Sequence, residues 1–339
     1  MSEGALLSVS ELRLAIGAGE GAFEPVTGAT LHVNQGELLG VVGESGSGKS
    51  LTLRAIAGLL PPTVHYRSGA VRVAGIDVPH AKGEELRRLH GEAVGMIFQE
   101  PMSALNPTMR VGEQIAEAAR AHKDLSRKQS RQKAIELLER MGFTEPGTRY
   151  RLYPHELSGG MRQRVMIAIA LAGEPKLLLC DEPTTALDAT VTMRVLDLLV
   201  GLAKDLDIAI VFVTHDLGVA ARICDRIVVM YAGRMVEEGP AQEVLRRPRH
   251  PYTLALLRAV PTRETTIEQL RAIPGSPPAP EEQPPGCPFA PRCEYAEPQC
   301  AEPVQLVTIG PARMSACRRQ ALLGQMARPE TETREPERA

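Results

Sequence analysis

The sequence predicts an α/β fold in which a buried parallel sheet carries helices on its faces. Short apolar runs suited to buried parallel strands occupy residues 37–42, 94–98, 177–180, 208–214 and 227–231. Segments of helical character lie between these runs, as in residues 161–171 and 191–204. Such alternation of strands and helices is typical of a parallel sheet with crossover helices.

The composition narrows the functional classes. With 339 residues, 43% apolar and 24% charged, the chain is long enough for one large domain and an appendage. A net charge of −2, the absence of Trp and only 3% aromatic residues argue against nucleic acid as the main partner. No apolar run approaches the ~20 residues that span a bilayer, and the N-terminus lacks the features of a secretory signal. We therefore expect a cytosolic protein that reaches a membrane through a partner.

Two changes in pattern divide the chain. Residues 100–157 break the strand–helix alternation and are mostly of helical character, which predicts a helical subdomain inserted into the α/β body. Past residue 261 the sequence becomes rich in Pro, which predicts a stiff linker, and the last dozen residues have the composition of a disordered tail. The predicted parts are an α/β core (1–99 and 158–255), the insertion (100–157) and a C-terminal region (256–339).

A glycine-rich motif follows the first predicted buried strand. Residues 43–50, here called the P-loop, match GxxxxGK[ST] without interruption. Its glycines let successive backbone N–H groups face inward as an anion site that continues into a helix N-terminus. Lys49 would place its charge between the β- and γ-phosphates, and the Ser50 hydroxyl suits Mg²⁺. We assign as nucleotide-binding residues Gly43, Glu44, Ser45, Gly46, Ser47, Gly48, Lys49, Ser50 and Leu51.

Two carboxylates end the apolar run at residues 177–180. Asp181 would be delivered to the sheet edge beside the P-loop, where it could orient water on Mg²⁺. Glu182, one residue on, could face the γ-phosphate and deprotonate the attacking water. An acidic strand end that merely caps the next helix is the simpler interpretation of this pair alone. Coupled to the P-loop, the pair favours hydrolysis of a nucleoside triphosphate.

Further motifs give a resemblance to one family. Residues 157–164, Leu-Ser-Gly-Gly-Met-Arg-Gln-Arg, resemble the signature of ABC transporter ATPases, with Met161 where Gln is commoner. This resemblance implies that Ser158, Gly159 and Gly160 bind γ-phosphate at a helix N-terminus. By position in the same series, Gln99 resembles the Q-loop residue that contacts Mg²⁺, and His215 resembles the switch histidine. Ala186-Leu187-Asp188 resembles the D-loop at the dimer interface.

The resemblance also implies partners. In this family the signature of one subunit completes the site that holds the P-loop of the other, so Ser158 should act on the partner's ATP. The implied partners are a second ABC ATPase subunit, identical or homologous, two transmembrane permease subunits and an extracytoplasmic solute-binding protein. The implied location is peripheral, on the cytoplasmic face of the inner membrane. The family's adenine-stacking aromatic is replaced by Ile16, with Phe23 nearby.

Several segments narrow the resemblance to dipeptide and oligopeptide importers. They are residues 99–107 (QEPMSALNP), the LSGGMRQRV form of the signature, residues 250–253 (HPYT) and residues 286–293 (GCPFAPRC). Importers of nickel, glutathione or some sugars share these features, so the cargo stays open among them. Two further functions also stay open, an ABC exporter subunit and an ABC ATPase that acts on ribosomes or DNA.

The six cysteines fall into two groups. Cys180 and Cys224 lie in apolar stretches and are expected to be core residues. The remaining four, Cys287, Cys293, Cys300 and Cys317, crowd into the C-terminal region, where a reducing cytosol disfavours disulfides. Zn²⁺, an iron–sulfur cluster and unliganded thiols all remain possible from the residues alone, since no spacing matches a zinc knuckle or a ferredoxin run. The importer resemblance implies a [4Fe–4S] cluster with a structural role.

Overall fold

Two β-sheets form the framework of the fold. The computed structural model describes residues 4–17, 19, 22–99, 104–185, 187–259 and 272–325. A four-stranded antiparallel sheet has the order β2-β1-β4-β5, and an eight-stranded mixed sheet has the order β11-β12-β10-β9-β3-β8-β7-β6. The strands are β1 (Leu7–Ile16), β2 (Phe23–Val33), β3 (Leu38–Val42), β4 (Val64–Val73), β5 (Ile76–Asp77), β6 (Val94–Ile97), β7 (Leu177–Asp181), β8 (Ala209–Thr214), β9 (Arg226–Tyr231), β10 (Arg234–Pro240), β11 (Val307–Gly310) and β12 (Arg313–Ser315).

Helices cover the mixed sheet and form the insertion. The α-helices are α1 (Lys49–Ala57), α2 (Glu84–Arg88), α3 (Val111–His122), α4 (Arg127–Arg140), α5 (Pro146–Arg149), α6 (Gly159–Leu171), α7 (Ala189–Leu206), α8 (Leu217–Ile223), α9 (Ala241–Arg246), α10 (Pro251–Ala259) and α11 (Gln320–Gln325). Single turns of 3₁₀-helix lie at Val78–His80, Pro154–Glu156, Pro280–Glu282, Ala290–Arg292 and Pro298–Ala301, and a π-helical turn lies at Leu89–Ala93.

The parallel part of the mixed sheet places the site. Strands β6, β7, β8, β3 and β9 run parallel, with Val42 opposite Thr214 and Asp181 opposite Val213. Every residue of β3, β7 and β8 is buried, as expected for strands covered on both faces. Because these three strands end at the same edge, the residues that follow them meet there. The predicted α/β class and all five predicted parallel strands are therefore confirmed.

Two apolar cores lie on the two faces of this sheet. One packs the antiparallel sheet and α1 against the inward side chains of β3, β7 and β8, such as Leu39, Leu179 and Val211. The other packs α6, α7 and the inserted helices against the opposite face. The antiparallel sheet was not predicted, although residues 7–16 alternate apolar and polar side chains as a half-buried strand does.

The segment between β6 and α6 carries helices α3, α4 and α5. Apolar residues of α3 and α4, among them Ile115 and Leu138, are fully buried in the second core. Helix α4 begins with a capping box, in which Ser126 accepts the Gln129 N–H and the Gln129 side chain accepts the Ser126 N–H. Local capping and one apolar face therefore suffice to form this insertion on the α/β body.

Over its described length, the C-terminal region packs on the α/β body. Strand β12 pairs with β10, so the region extends the mixed sheet. Glu237, fully buried on β10, accepts hydrogen bonds from Arg313 at 2.6 Å and from the Arg249 and His250 amides. Residues 260–271 and 326–339, the latter including the whole predicted tail, lie outside the described residues, whereas the Pro-rich runs 274–280 and 284–286 of the predicted linker are described. Over the described ranges, no helix is long and apolar enough to cross a membrane.

Candidate active site

The P-loop joins β3 to α1 at the carboxyl edge of the parallel strands. A Cβ on Gly43 would lie 2.2 Å from the Met230 carbonyl oxygen, so no side chain fits at the start of the loop. Gly48 has a φ of +96° and is the residue preceding α1, a conformation that favours glycine. The loop therefore turns tightly into a helix N-terminus, where backbone N–H groups can bind an anion.

Lys49 lies inside this loop. It is 4% exposed, and its Nζ donates hydrogen bonds to the carbonyl oxygens of Gly43 and Glu44, both at 2.8 Å. Burial lowers the pKa of Lys49, while the negative charges of Glu182, Asp181 and Glu44 act in the opposite direction. The arrangement therefore supplies one buried cation at a site built from backbone amides.

Ser50 and Asp181 meet across the sheet edge. The Ser50 hydroxyl donates to Asp181 Oδ1 at 2.6 Å, which joins the first turn of α1 to the last residue of β7. Burial raises the pKa of Asp181, and the hydrogen bond from Ser50 and the charge of Arg54 oppose that rise. Within the described residues no three His, Cys, Asp or Glu side chains form a metal site. Two hard oxygen ligands fit Mg²⁺, which takes few protein ligands and binds phosphate oxygens and water.

Glu182 lies beside His215 and Thr185. Glu182 Oε2 is 3.0 Å from His215 Nδ1 and accepts a hydrogen bond from the Thr185 hydroxyl at 3.0 Å. Its backbone has a φ of +45° and donates to the Val213 carbonyl oxygen at 3.1 Å. This left-handed conformation is strained for a residue with a Cβ and is typical of functional sites. The structure thus brings Glu182 and His215 together and adds Thr185, which the sequence analysis missed.

Gln99 follows β6 at the same edge of the sheet. Its side chain is exposed, as is that of the preceding Phe98. The motif that continues past Gln99 falls partly outside the described residues, which exclude 100–103. The exposed Gln99 side chain therefore lies at the sheet edge, shortly before the inserted helices in the sequence.

The signature residues lie at the N-terminus of α6. The Ser158 hydroxyl accepts the Met161 N–H at 3.4 Å and so caps the helix that Gly159 and Gly160 begin. These glycines face α7 and the turn before it. A Cβ added to Gly159 would lie 3.7 Å from the Leu187 side chain, and a Cβ added to Gly160 would lie 2.5 Å from the Val191 side chain. The Asp188 carboxylate caps α7 in turn. Ala186 of the predicted D-loop lies outside the described residues.

Two residues of the C-terminal part contact the P-loop and were missed by the sequence analysis. The Tyr252 hydroxyl accepts the Glu44 N–H at 2.7 Å, and the Arg292 guanidinium donates two hydrogen bonds to the Glu44 carboxylate. The sequence segments 250–253 and 286–293 contain these residues but give no sign of what they touch.

The iron–sulfur prediction is wrong on these findings. Across the described residues, which include the four C-terminal cysteines, no group of three or more His, Cys, Asp or Glu side chains is placed to hold a metal ion. All four are free thiols, and burial raises the pKa of Cys293 to about 11 and of Cys317 to about 12. A zinc site meets the same objection. Cys287 and Cys293 pack instead against the apolar core as small hydrophobic side chains.

Comparison with known proteins gives two family matches. Residues 26–185 match the ABC transporter family, and residues 236–300 match the oligopeptide/dipeptide transporter C-terminal region. The chain is 47% identical to the oligopeptide transport ATP-binding protein OppD of Bacillus subtilis, over 86% of this chain and 82% of that protein. It is 44% identical to OppD of Escherichia coli, over 92% and 93%.

Solved structures give the same fold. The dimeric, ADP- and phosphate-bound ATP-binding cassette MJ0796 superposes with a TM-score of 0.61 at 28% identity, over 69% of this chain and 98% of that one. The cbiO1 protein of Clostridium perfringens, part of the ABC transporter complex cbiONQ, superposes with a TM-score of 0.62 at 28% identity, over 71% and 91%.

Proposed function

The chain belongs to the ABC transporter family of ATP-binding proteins, and from its site we propose which residues bind and hydrolyse ATP in the peptide importer that it energises. ATPase activity coupled to peptide uptake follows from the family and from 42–47% identity to named peptide-transport ATP-binding proteins. The single observation that supports the site proposal is the 2.6 Å hydrogen bond between Ser50 and Asp181, which joins the P-loop to the acidic strand end.

The P-loop binds the triphosphate in this proposal. Backbone N–H groups at the start of α1 donate to phosphate oxygens, and Lys49 Nζ exchanges its bonds to loop carbonyls for bonds to phosphate. Ser50, Asp181 and Gln99 are the residues that would hold Mg²⁺. When bound, Mg²⁺ supplies neutralisation of the charge that develops on the phosphate oxygens.

Glu182 acts as the general base in this proposal. Its carboxylate is 14% exposed, and Thr185 and His215 fix its direction, so it can accept a proton from water at the sheet edge. The His215 side chain is 58% exposed and can contact the γ-phosphate through its remaining ring nitrogen. Hydrolysis therefore depends on two neighbouring strand ends, β7 and β8.

A second cassette completes the site. The chain carries one P-loop and one signature, and Ser158, Gly159 and Gly160 present a helix N-terminus suited to a phosphate. We assign this N-terminus to the nucleotide of the partner ATPase subunit. ATP between the two cassettes would favour the closed dimer and hydrolysis the open one.

The transporter supplies the membrane-spanning part through its permease subunits. We propose that this chain lies on the cytoplasmic face of the inner membrane and that a solute-binding protein delivers peptide from the other side. Gln99 and the exposed Phe98 precede the inserted helices in the sequence, where contact with a permease would reach the site.

Lys49→Ala tests the site, with Lys128→Ala as a matched control on the exposed surface of α4. Loss of a charge-assisted contact to phosphate should weaken MgATP binding by between about tenfold and a hundredfold, because such bonds contribute about 1.5–3 kcal/mol. The control should bind as the unmodified chain does. Equal binding by both variants would place the nucleotide elsewhere.

Uptake by the reconstituted transporter tests the cargo. Vesicles that contain the complete complex, with this chain and MgATP enclosed on the inside and the solute-binding protein on the outside, should accumulate a labelled tripeptide from the medium. Accumulation of Ni²⁺ or glutathione without the tripeptide would contradict the peptide assignment.

A further inference from the structure

We infer that Arg292 of the C-terminal region is a positioning residue for ATP binding, because it neutralises and orients Glu44 of the P-loop. This inference rests on the proposed function, since it takes the P-loop to be the nucleotide site.

The contact between the two side chains is a two-pronged ion pair. Arg292 Nη1 donates to Glu44 Oε2 at 2.8 Å and Arg292 Nη2 donates to Glu44 Oε1 at 3.1 Å. The planar guanidinium matches a carboxylate in this way, and a lysine ammonium cannot. The pair therefore fixes both the position and the direction of the Glu44 side chain.

The position of Arg292 is itself fixed by contacts with the C-terminal region and with Tyr231 of β9. Its side chain is 6% exposed, donates to the Pro274 carbonyl oxygen at 2.7 Å and to the Tyr231 hydroxyl at 3.1 Å. The guanidinium carbon lies 5.7 Å from the centre of the Tyr231 ring and 5.9 Å from that of Phe289. Little freedom remains to the guanidinium, so Glu44 meets a preorganised partner.

The backbone of Glu44 is fixed from two sides as well. Its N–H donates to the Tyr252 hydroxyl at 2.7 Å, and its carbonyl oxygen accepts from Lys49 Nζ at 2.8 Å. Tyr252 is fully buried and packs on Tyr231 and Phe289, with ring centres 4.5 and 5.3 Å away. Tyr252 and Arg292, both in the C-terminal half of the chain, therefore bind the backbone amide and the carboxylate of the same P-loop residue.

The charge of Glu44 gives these contacts a consequence for ATP. A carboxylate in the loop repels phosphate, and its field already reaches Lys49, whose pKa it raises against the effect of burial. Arg292 cancels that charge at 2.8 Å. Without Arg292, Glu44 would be an uncompensated anion beside the phosphate site. Without the Glu44 charge, no such anion would remain there.

The test compares MgATP dissociation constants of full-length variants. Arg292→Ala should weaken binding by about fivefold or more, as one uncompensated charge at close range predicts. Arg292→Lys should lose less affinity, since it restores charge without the fork. In a Glu44→Gln background, Arg292→Ala should change the dissociation constant by less than about twofold, because no carboxylate is left for Arg292 to neutralise.

The matched control is Arg258→Ala, which removes another arginine–glutamate pair of the same region, with Glu294. It should leave MgATP binding unchanged. An undiminished effect of Arg292→Ala in the Glu44→Gln background, or equal losses in the Arg258 and Arg292 variants, would overturn the inference and leave only a packing role. If Arg292→Ala does not fold, Arg292→Lys takes its place, and an equal loss of affinity with and without Glu44→Gln overturns the inference. Failure of Lys49→Ala to weaken binding would refute the proposed function and not this inference alone.

Discussion

Gly160→Ala offers a sharp test of how the signature helix is positioned. A Cβ at Gly160 would lie 2.5 Å from Val191 Cγ1, about 0.9 Å closer than the 3.4 Å at which ordinary contact begins. Val191 is β-branched and in the first turn of α7, so its side chain has little rotational freedom. The start of α6 must therefore move away from α7.

The neighbouring glycine is the matched control. A Cβ on Gly159 would lie 3.7 Å from Leu187, which is ordinary contact, and both glycines lie in the first turn of α6. The helix-propensity gain of a Gly→Ala change is shared by the two variants and cancels. Overpacking typically costs about 1–3 kcal/mol, so Gly160→Ala should be less stable than Gly159→Ala by that amount. Urea unfolding of the full chain measures the difference.

A second substitution should reverse the effect. Val191→Ala removes the clashing methyl group, so Gly160→Ala should cost little in the Val191→Ala background. ATP turnover gives a parallel readout, because displacement of a phosphate site by about 1 Å can reduce a rate up to about a hundredfold. Equal stability of the two alanine variants, or no rescue by Val191→Ala, would refute the packing argument.

Three further predictions concern catalysis, ion pairs and pH. Glu182→Gln should lower ATP turnover about 10²- to 10⁴-fold with MgATP binding retained, and single-turnover hydrolysis at the rate of the unmodified chain would contradict its role as base. Arg226→Met should lower the free energy of unfolding in urea by about 3–5 kcal/mol, because it leaves the nearly buried carboxylates of Glu37 and Glu238 without their arginine partner. Loss of the exposed pair of Arg222 with Asp197 should lower the free energy of unfolding by less than about 1 kcal/mol. Equal losses of stability for the buried and the exposed pair would refute the burial argument. Burial lowers the pKa of His250 to about 3, so the unfolded chain takes up a proton first as the pH falls below about 6.5, and stability is lost there. Between pH 7 and 4 His250 alone should contribute a loss on the order of 3 kcal/mol, which the raised pKa of Glu237, about 7, opposes. The difference in unfolding free energy between the two pH values should therefore shift by about that amount in His250→Asn.

The sequence predicted the parts of the site that depend on local pattern. The P-loop, Asp181 and Glu182 were found because each follows a short apolar run, and parallel strand ends meet at one edge whatever the rest of the chain does. The family resemblance is confirmed by the comparisons. The roles assigned to the P-loop, Asp181, Glu182, Gln99, His215 and Ser158 all stay predictions.

Contacts between distant parts of the chain left no local sign. Glu44 and Arg292 are 248 residues apart, and neither composition nor spacing links them. The same is true of Glu237 and Arg313, which fix the C-terminal region to β10. For the four C-terminal cysteines the prediction was wrong. The importer resemblance implied a [4Fe–4S] cluster, but the described fold holds these residues as thiols without a metal site. Cysteine spacing constrains a metal site only when it matches a known ligand pattern, and here it did not.

The most direct test of the central claim is a structure of the complete transporter with MgATP and Glu182→Gln in this chain. We predict a triphosphate held by residues 43–50 of this chain, with the partner cassette's signature on its far side and Ser158 facing the partner's nucleotide. Nucleotide bound away from Lys49, or Ser158 facing no phosphate in the closed state, would contradict it.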